Sequence, residues 1–249
     1  MSAASSAIKG PLPHPSENMN LQALATDFDG TIANCGVVEA DTVQALEQWR
    51  SSGRRLLLVT GRELPDLTAI FPKLDLFDRV IAENGALLYR PGTKEEELLC
   101  PPPPAAFLEY LLRLGIPFRA GRAVIATAQS YEPAIEAAIK ELDIPWNLSR
   151  NRDSLMVLPL GVDKDTGLRY ALRELSIGPV DVVAVGDAEN DRGFLAACGF
   201  RVAVGNALPE LKSCADLVTS GAHGAGVAEL IQHLLASDRA VAQPDSVRS

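Results

Sequence analysis

The chain is short of aromatic residues, cysteine, histidine and long apolar runs, and most of these shortages close off a class of protein. No stretch of about 18 apolar residues occurs in the 249 positions, so no membrane-spanning helix is expected. The four cysteines, Cys35, Cys100, Cys198 and Cys214, are scattered without a CxxC pair. That argues against a zinc site or a disulfide framework and for reduced thiols in a cytoplasmic protein. Positive charge is in deficit: 23 Lys and Arg face 32 Asp and Glu, a net charge of −9. A surface of that sign repels a phosphate backbone, so nucleic acid is not expected as a partner. A small phosphorylated ligand remains open, because a metal ion and a few cations reverse the field at one site. The first residues lack the apolar core of a secretory signal, and with Lys9 as their one basic residue and Glu17 among them they make a poor transit peptide. The three histidines, His14, His223 and His233, lie outside every motif and are expected at the surface.

What is present is an alternation. Apolar runs at 21–26, 56–59, 80–82, 182–185 and 202–204 read as buried strands. Helical patterns fall at 41–50, 170–175, 193–197 and 227–235, with Gly53 as a stop for the first. Strand–helix–strand alternation predicts a doubly wound, Rossmann-like parallel α/β sheet, whose ligands bind at the carboxyl ends of the strands. Residues 1–20 and 237–249 read as mobile tails. The middle, 87–159, differs. A charged run at 94–97 and a proline block at 101–104 open it. Two amphipathic helices follow, one with Phe107, Leu111 and Leu114 on a face, the other with Ile135, Ala138, Ile139 and Leu142. With strand candidates at 123–126 and 155–158, this predicts a small α/β unit inserted into a core made of 21–86 and 160–236.

Four clusters carry chemistry. Asp27-Phe28-Asp29-Gly30-Thr31 leaves the first strand. Two carboxylates that close repel each other unless a cation or a proton offsets them. One can attack phosphorus, and the other can serve as acid and then base. A solvated aspartate turn is the plainer alternative. Val59-Thr60-Gly61-Arg62 ends the second run, where a hydroxyl and free N–H groups suit phosphate oxygens. Lys164 opens the helix after the insertion and offers a cation. Gly186-Asp187-Ala188-Glu189-Asn190-Asp191 leaves a third strand with carboxylates fit for magnesium.

In this order, the four clusters resemble the motifs of the haloacid dehalogenase superfamily of phosphatases. The insertion between Thr60 and Lys164 resembles a C2-type (C2B-like) cap. Glu83-Asn84-Gly85-Ala86 and Gly205-Asn206-Ala207 look like the Cof-type subgroup. The run 221–226 departs from that subgroup, lacking its acidic residue. The resemblance implies a phosphatase that forms an aspartyl phosphate on Asp27, with Asp29 as acid and base. Mg2+ is then held by Asp27, the Asp29 carbonyl and Asp187, supported by Asp191. Thr60, Gly61, Arg62, Asn84, Lys164 and Asn190 bind phosphate or substrate. The expected substrate is a small phosphorylated metabolite, a sugar phosphate or phosphoglycolate, handled by a monomer or homodimer. A phosphomannomutase-like phosphomutase and a non-catalytic phospholigand-binding module are the alternatives. In the cap, Arg119, Arg122, Arg150, Arg152 and Trp146 are candidates to meet substrate; the preferred reading is solvated arginines and a packed indole.

Overall fold

The structure, a computed structural model, describes residues 20–151 and 153–242. Arg152, the segment weighed as a transit peptide and most of both expected tails lie outside those residues. The apolar runs of the core fold as strands. β1 (Ala23–Thr26) is buried at every position, which a strand survives only when both faces are covered. α1 (Ala40–Ser51) buries Val43, Leu46 and Trp49 along one stripe. β2 (Arg55–Val59) follows, then α2 (Leu64–Ile70) with a proline in its first turn, then β3 (Arg79–Ala82).

The expected start of the insertion at 87 moves. β4 (Leu87–Arg90) and β5 (Glu95–Leu98) form an antiparallel hairpin that pairs with β3 and extends the core sheet. Leu87 and Leu88 are buried, and that apolar pair draws the hairpin onto the core rather than the cap.

The small unit itself runs through α3 (Ala105–Arg113), β6 (Arg119–Ala120), β7 (Ile125–Ala128), α4 (Glu132–Glu141), β8 (Trp146–Asn151) and β9 (Ser154–Pro159). Its four strands form a separate antiparallel sheet, ordered β6-β7-β9-β8. Phe107, Leu111, Ile125, Ile135, Leu155 and Val157 make its own apolar core. Leu114, expected beside Phe107 and Leu111, is instead 49% exposed, because α3 ends at Arg113 and Leu114 caps it.

The chain returns to the core in α5 (Lys164–Glu174), β10 (Val182–Gly186), α6 (Arg192–Ala197), β11 (Phe200–Ala203), α7 (Pro209–Lys212), β12 (Leu217–Val218) and α8 (His223–Ala242). α8 carries helix past the expected boundary at 236. No helix among the described residues is long and apolar enough to cross a membrane. The core sheet is ordered β12-β11-β10-β1-β2-β3-β4-β5, parallel from β12 to β3. This is the doubly wound α/β fold with an inserted unit.

Candidate active site

The strand order reverses between β1 and β10. Successors of β1 lie on one side of it, and β10 to β12 on the other. A crevice opens at the carboxyl ends of such a neighbouring pair. β1 delivers Asp27 there, and β10 delivers Asp187. The two loops fit closely: Gly30 has φ +85°, and a Cβ on it would lie 2.7 Å from the Asp187 carboxyl carbon. Thr31 Oγ1 donates to Asp187 Oδ1 at 3.1 Å.

Asp191 stands behind them. Its Oδ2 accepts from the Asp187 and Ala188 amides at 2.8 and 3.0 Å, and its Oδ1 accepts from Lys164 Nζ at 2.7 Å. Lys164 Nζ also donates to Asp27 Oδ1 at 2.6 Å. All four side chains are buried, with Asp27 the most open at 4%. Lysine is a poor choice for the first turn of a helix, where the dipole is positive. Here the carboxylates overrule the dipole. Burial works to lower the Lys164 pKa, but Asp191 and Asp27 more than offset it and hold the ammonium protonated. Burial pushes Asp27 well above the ordinary carboxylate range; Lys164 opposes this, while Asp191 and Asp187 add to it.

Carboxylate oxygens of Asp27, Asp187 and Asp191 all lie within 4.8 Å of one another. Two of these buried acids, Asp27 and Asp191, share the Lys164 ammonium, and carboxylates gathered so closely repel one another unless positive charge offsets them. An all-oxygen donor set of this kind fits a hard divalent cation such as Mg2+.

Asp29 goes elsewhere. Arg62 grips it with two bonds, Nε to Oδ2 at 2.6 Å and Nη2 to Oδ1 at 2.8 Å, and reaches Asp66 at 2.6 Å with its third nitrogen. Asp29 and Asp66 together raise the Arg62 pKa. Thr60 is buried, and its Oγ1 accepts from the Arg62 amide at 3.1 Å. Gly61 lies against Met156 of the cap. Asn84 is buried and bridges the two units: Nδ2 donates to Ser149 Oγ at 3.1 Å, and Oδ1 accepts from Asn190 Nδ2 at 3.3 Å. The predicted residues thus divide into a buried charged centre (Asp27, Lys164, Asp187, Asp191) and a ring of polar groups beside it. A cavity of about 280 Å3 opens beside that ring, lined by Gln129, Ser149, Arg150, Glu189 and Asn190.

Two contributors were not expected. His223, read as a surface residue, places Nδ1 2.9 Å from the Gly30 carbonyl oxygen, which also accepts from Asn206 Nδ2 at 2.8 Å. The His223 amide returns a bond to Asn206 Oδ1 at 2.6 Å. This clamp pins the turn that follows Asp29. Asn206 belongs to the Gly205-Asn206-Ala207 motif, whereas His223 opens α8 within a glycine-rich run that gives no local signal. Ser149 was missed too, in a polar strand without pattern. The cap arginines split: Arg119 pairs with Glu63 at 3.1 Å, Arg122 with Glu96, and Arg150 with Glu132. Trp146 packs on Phe107, ring centroids 6.1 Å apart.

A family model of haloacid dehalogenase-like hydrolases matches residues 24–113 and 120–231. A phosphoglycolate phosphatase of Methanothermobacter thermautotrophicus is 31% identical over 224 residues, covering 86% of this chain and 99% of that protein. Phosphoglycolate phosphatase 2 of Saccharolobus solfataricus is 30% identical, with coverages of 86% and 93%. Among solved structures, a HAD/COF-like hydrolase from Plasmodium vivax superposes with a TM-score of 0.76 at 20% identity, covering 89% of this chain and 98% of that one. The subclass IIB sugar phosphatase BT4131 gives 0.70 at 18%, covering 85% and 98%.

Proposed function

This chain belongs to the haloacid dehalogenase-like hydrolases and is a phosphatase; from that premise we propose that it hydrolyses a short phosphorylated metabolite, with phosphoglycolate as the first candidate, through a phosphoryl group carried on Asp27. The observation that carries the reading is the convergence of buried Asp27, Asp187 and Asp191 carboxylate oxygens within 4.8 Å of one another, beside the buried Lys164 ammonium.

Mg2+ would be held by the Asp27 carboxylate, the Asp29 backbone carbonyl and Asp187, with Asp191 orienting Lys164 and the Asp187 loop. When bound, the ion neutralises charge on the phosphoryl oxygens. A carboxylate oxygen of Asp27 attacks phosphorus, and the ester P–O bond breaks. Asp29, once it leaves its pair with Arg62 and takes up a proton, gives that proton to the departing alcohol oxygen. It then takes a proton from water, which attacks the aspartyl phosphate and releases phosphate with Asp27 restored. Lys164, Thr60 and nearby amides stabilise the phosphoryl oxygens in transit, where positioned donors gain most. The small, polar cavity between Asn190 and the Gln129–Ser149–Arg150 side suits a leaving group of a few carbons. Arg150 lines that cavity too, and a substrate carboxylate would have to draw its guanidinium from the pair with Glu132. The phosphoglycolate phosphatases of similar sequence support the same choice.

The test is phosphate release from a panel of phosphorylated metabolites, with Mg2+ and with EDTA. Release that requires the metal and favours phosphoglycolate is the expected result. Isomerisation that needs a bisphosphate activator, with no release, would overturn it. Arg62 gives a second check. Arg62→Gln frees Asp29 from its two-pronged grip, and kcat is expected to fall roughly 10- to 100-fold, part of what acid–base catalysis supplies. The pH profile of kcat should change shape, while stability changes little for so open a pair. An unchanged kcat and profile would remove Arg62 from the mechanism.

A further inference from the structure

Glu83-Asn84-Gly85 has a part of its own. Outside the Asp27 cluster, Glu83 is the one buried carboxylate among the described residues, at 1% exposure. No cation pairs with it there. Its oxygens instead accept three backbone amides from the cap: Arg122 N at 3.0 Å, Ala123 N at 2.9 Å and Val124 N at 3.2 Å. These residues lie in the turn between β6 and β7, outside any strand. Gly121 opens the turn, and a Cβ on it would meet Glu83 Oε2 at 2.6 Å. The same segment carries Arg119 and Arg122, which pair with Glu63 and Glu96 of the core. Those outer pairs are exposed and weak. A desolvated carboxylate that fills its lone pairs with amides is the stronger tie.

The core side is equally fixed. Glu83 N donates to Arg62 O at 2.9 Å, and Asn84 N donates to Thr60 O at 2.9 Å. Glu83 and Asn84 both take left-handed backbone, with φ of +49° and +56°. Two such residues in a row persist only where the surroundings demand it, and such strain gathers at functional sites.

We propose that Glu83 is a positioning residue that latches the 121–124 turn of the cap to the catalytic edge, and so sets where Ser149 and Arg150 stand over the site. The latch rests on the phosphatase reading for its kinetic effect only. The cap contributes Gln129, Ser149 and Arg150 to the cavity, so loosening it should harm a substrate that needs the cap and spare one that does not.

The experiment uses the full chain as wild type, Glu83→Gln, Gly121→Ala and the double variant. Two phosphates are compared: the best metabolite of the panel, phosphoglycolate in the first instance, and p-nitrophenyl phosphate, whose activated leaving group needs little help. For Glu83→Gln, kcat/KM on the metabolite should fall on the order of 10- to 100-fold, as expected from a small misplacement. Turnover of p-nitrophenyl phosphate should hold. Amide hydrogen exchange should rise in 119–128 and stay unchanged in β1 and β10. Gly121→Ala should do the same from the other side of the contact, and the double variant should be no worse than either single one. Equal losses on both phosphates, no loss on either, or unaltered exchange in 119–128 would overturn the latch. If Glu83→Gln does not fold, Gly121→Ala keeps the core carboxylate and supplies both readouts. If the wild type releases phosphate from nothing in the panel, the phosphatase reading falls, and the exchange data still decide the latch.

Discussion

Asp27→Asn is expected to lose phosphate release by roughly 10,000-fold or more, the scale on which removing a nucleophile costs an enzyme, while the metal-free protein melts no lower than the wild type. The amide has the shape of the acid, so no cavity forms. Lys164 loses one carboxylate and keeps Asp191 at 2.7 Å. What disappears is a buried charge that desolvation, Asp191 and Asp187 all disfavour. The sign of the pH dependence follows. The folded pKa of Asp27 lies above its unfolded value near 3.8. Across the window from that value up to the raised one, the folded state holds a proton that the unfolded state has released. Wild-type stability therefore declines as pH rises through the window, and the variant lacks that decline. Calorimetry on metal-free protein from about pH 4 to about pH 8 should show the gap in melting temperature widening in favour of Asp27→Asn. Mg2+ should raise the wild-type melting temperature and raise that of the variant much less. Turnover within a hundredfold of wild type in a clean preparation would sink the nucleophile assignment.

Lys164→Met should cost stability as well as activity. Methionine is unbranched and fills the volume of the lysine stem, so packing is nearly conserved. The loss is electrostatic: the ammonium donates at 2.6 Å to Asp27 and at 2.7 Å to Asp191, and it is 1% exposed. Removing one partner of a buried ion pair costs about 3–5 kcal/mol, which for a chain of this size lowers the melting temperature by on the order of 10 °C. Mg2+ should restore part of that loss by supplying positive charge to the same acids, without restoring turnover. A metal-free melting temperature equal to that of the wild type would mean that Asp27 and Asp191 do not depend on Lys164.

The sequence announces the parts of this molecule that are apolar and regular, or short and unusual. β1, β2, β3 and β10 are legible because a strand buried on both faces is a plain apolar run. Asp27, Thr60, Lys164 and Asp187 are legible because each sits at the end of such a run or at a helix start. β5 is not, since Glu95-Glu96-Glu97 resembles a solvated stretch and becomes a strand only by pairing with β4. β8, with Asn147, Ser149 and Arg150, carries too little apolar pattern to declare itself. Its register is set by β9 across the whole of its length. The grip of Arg62 on Asp29 and the reach of His223 to Gly30 link residues 33 and 193 positions apart. No local pattern encodes such contacts; the fold creates them.

The glutamates of β5 have one more effect. An open eight-stranded sheet has two free margins, and each is a template on which another chain can pair and grow. On one margin β5 presents Glu95, Glu96 and Glu97 in succession. On the other, β12 is two residues long. Charge repels a newcomer at the first margin, and too few free groups remain to hold one at the second. Among the described residues, both ends of the sheet are therefore poor templates for edge-to-edge pairing.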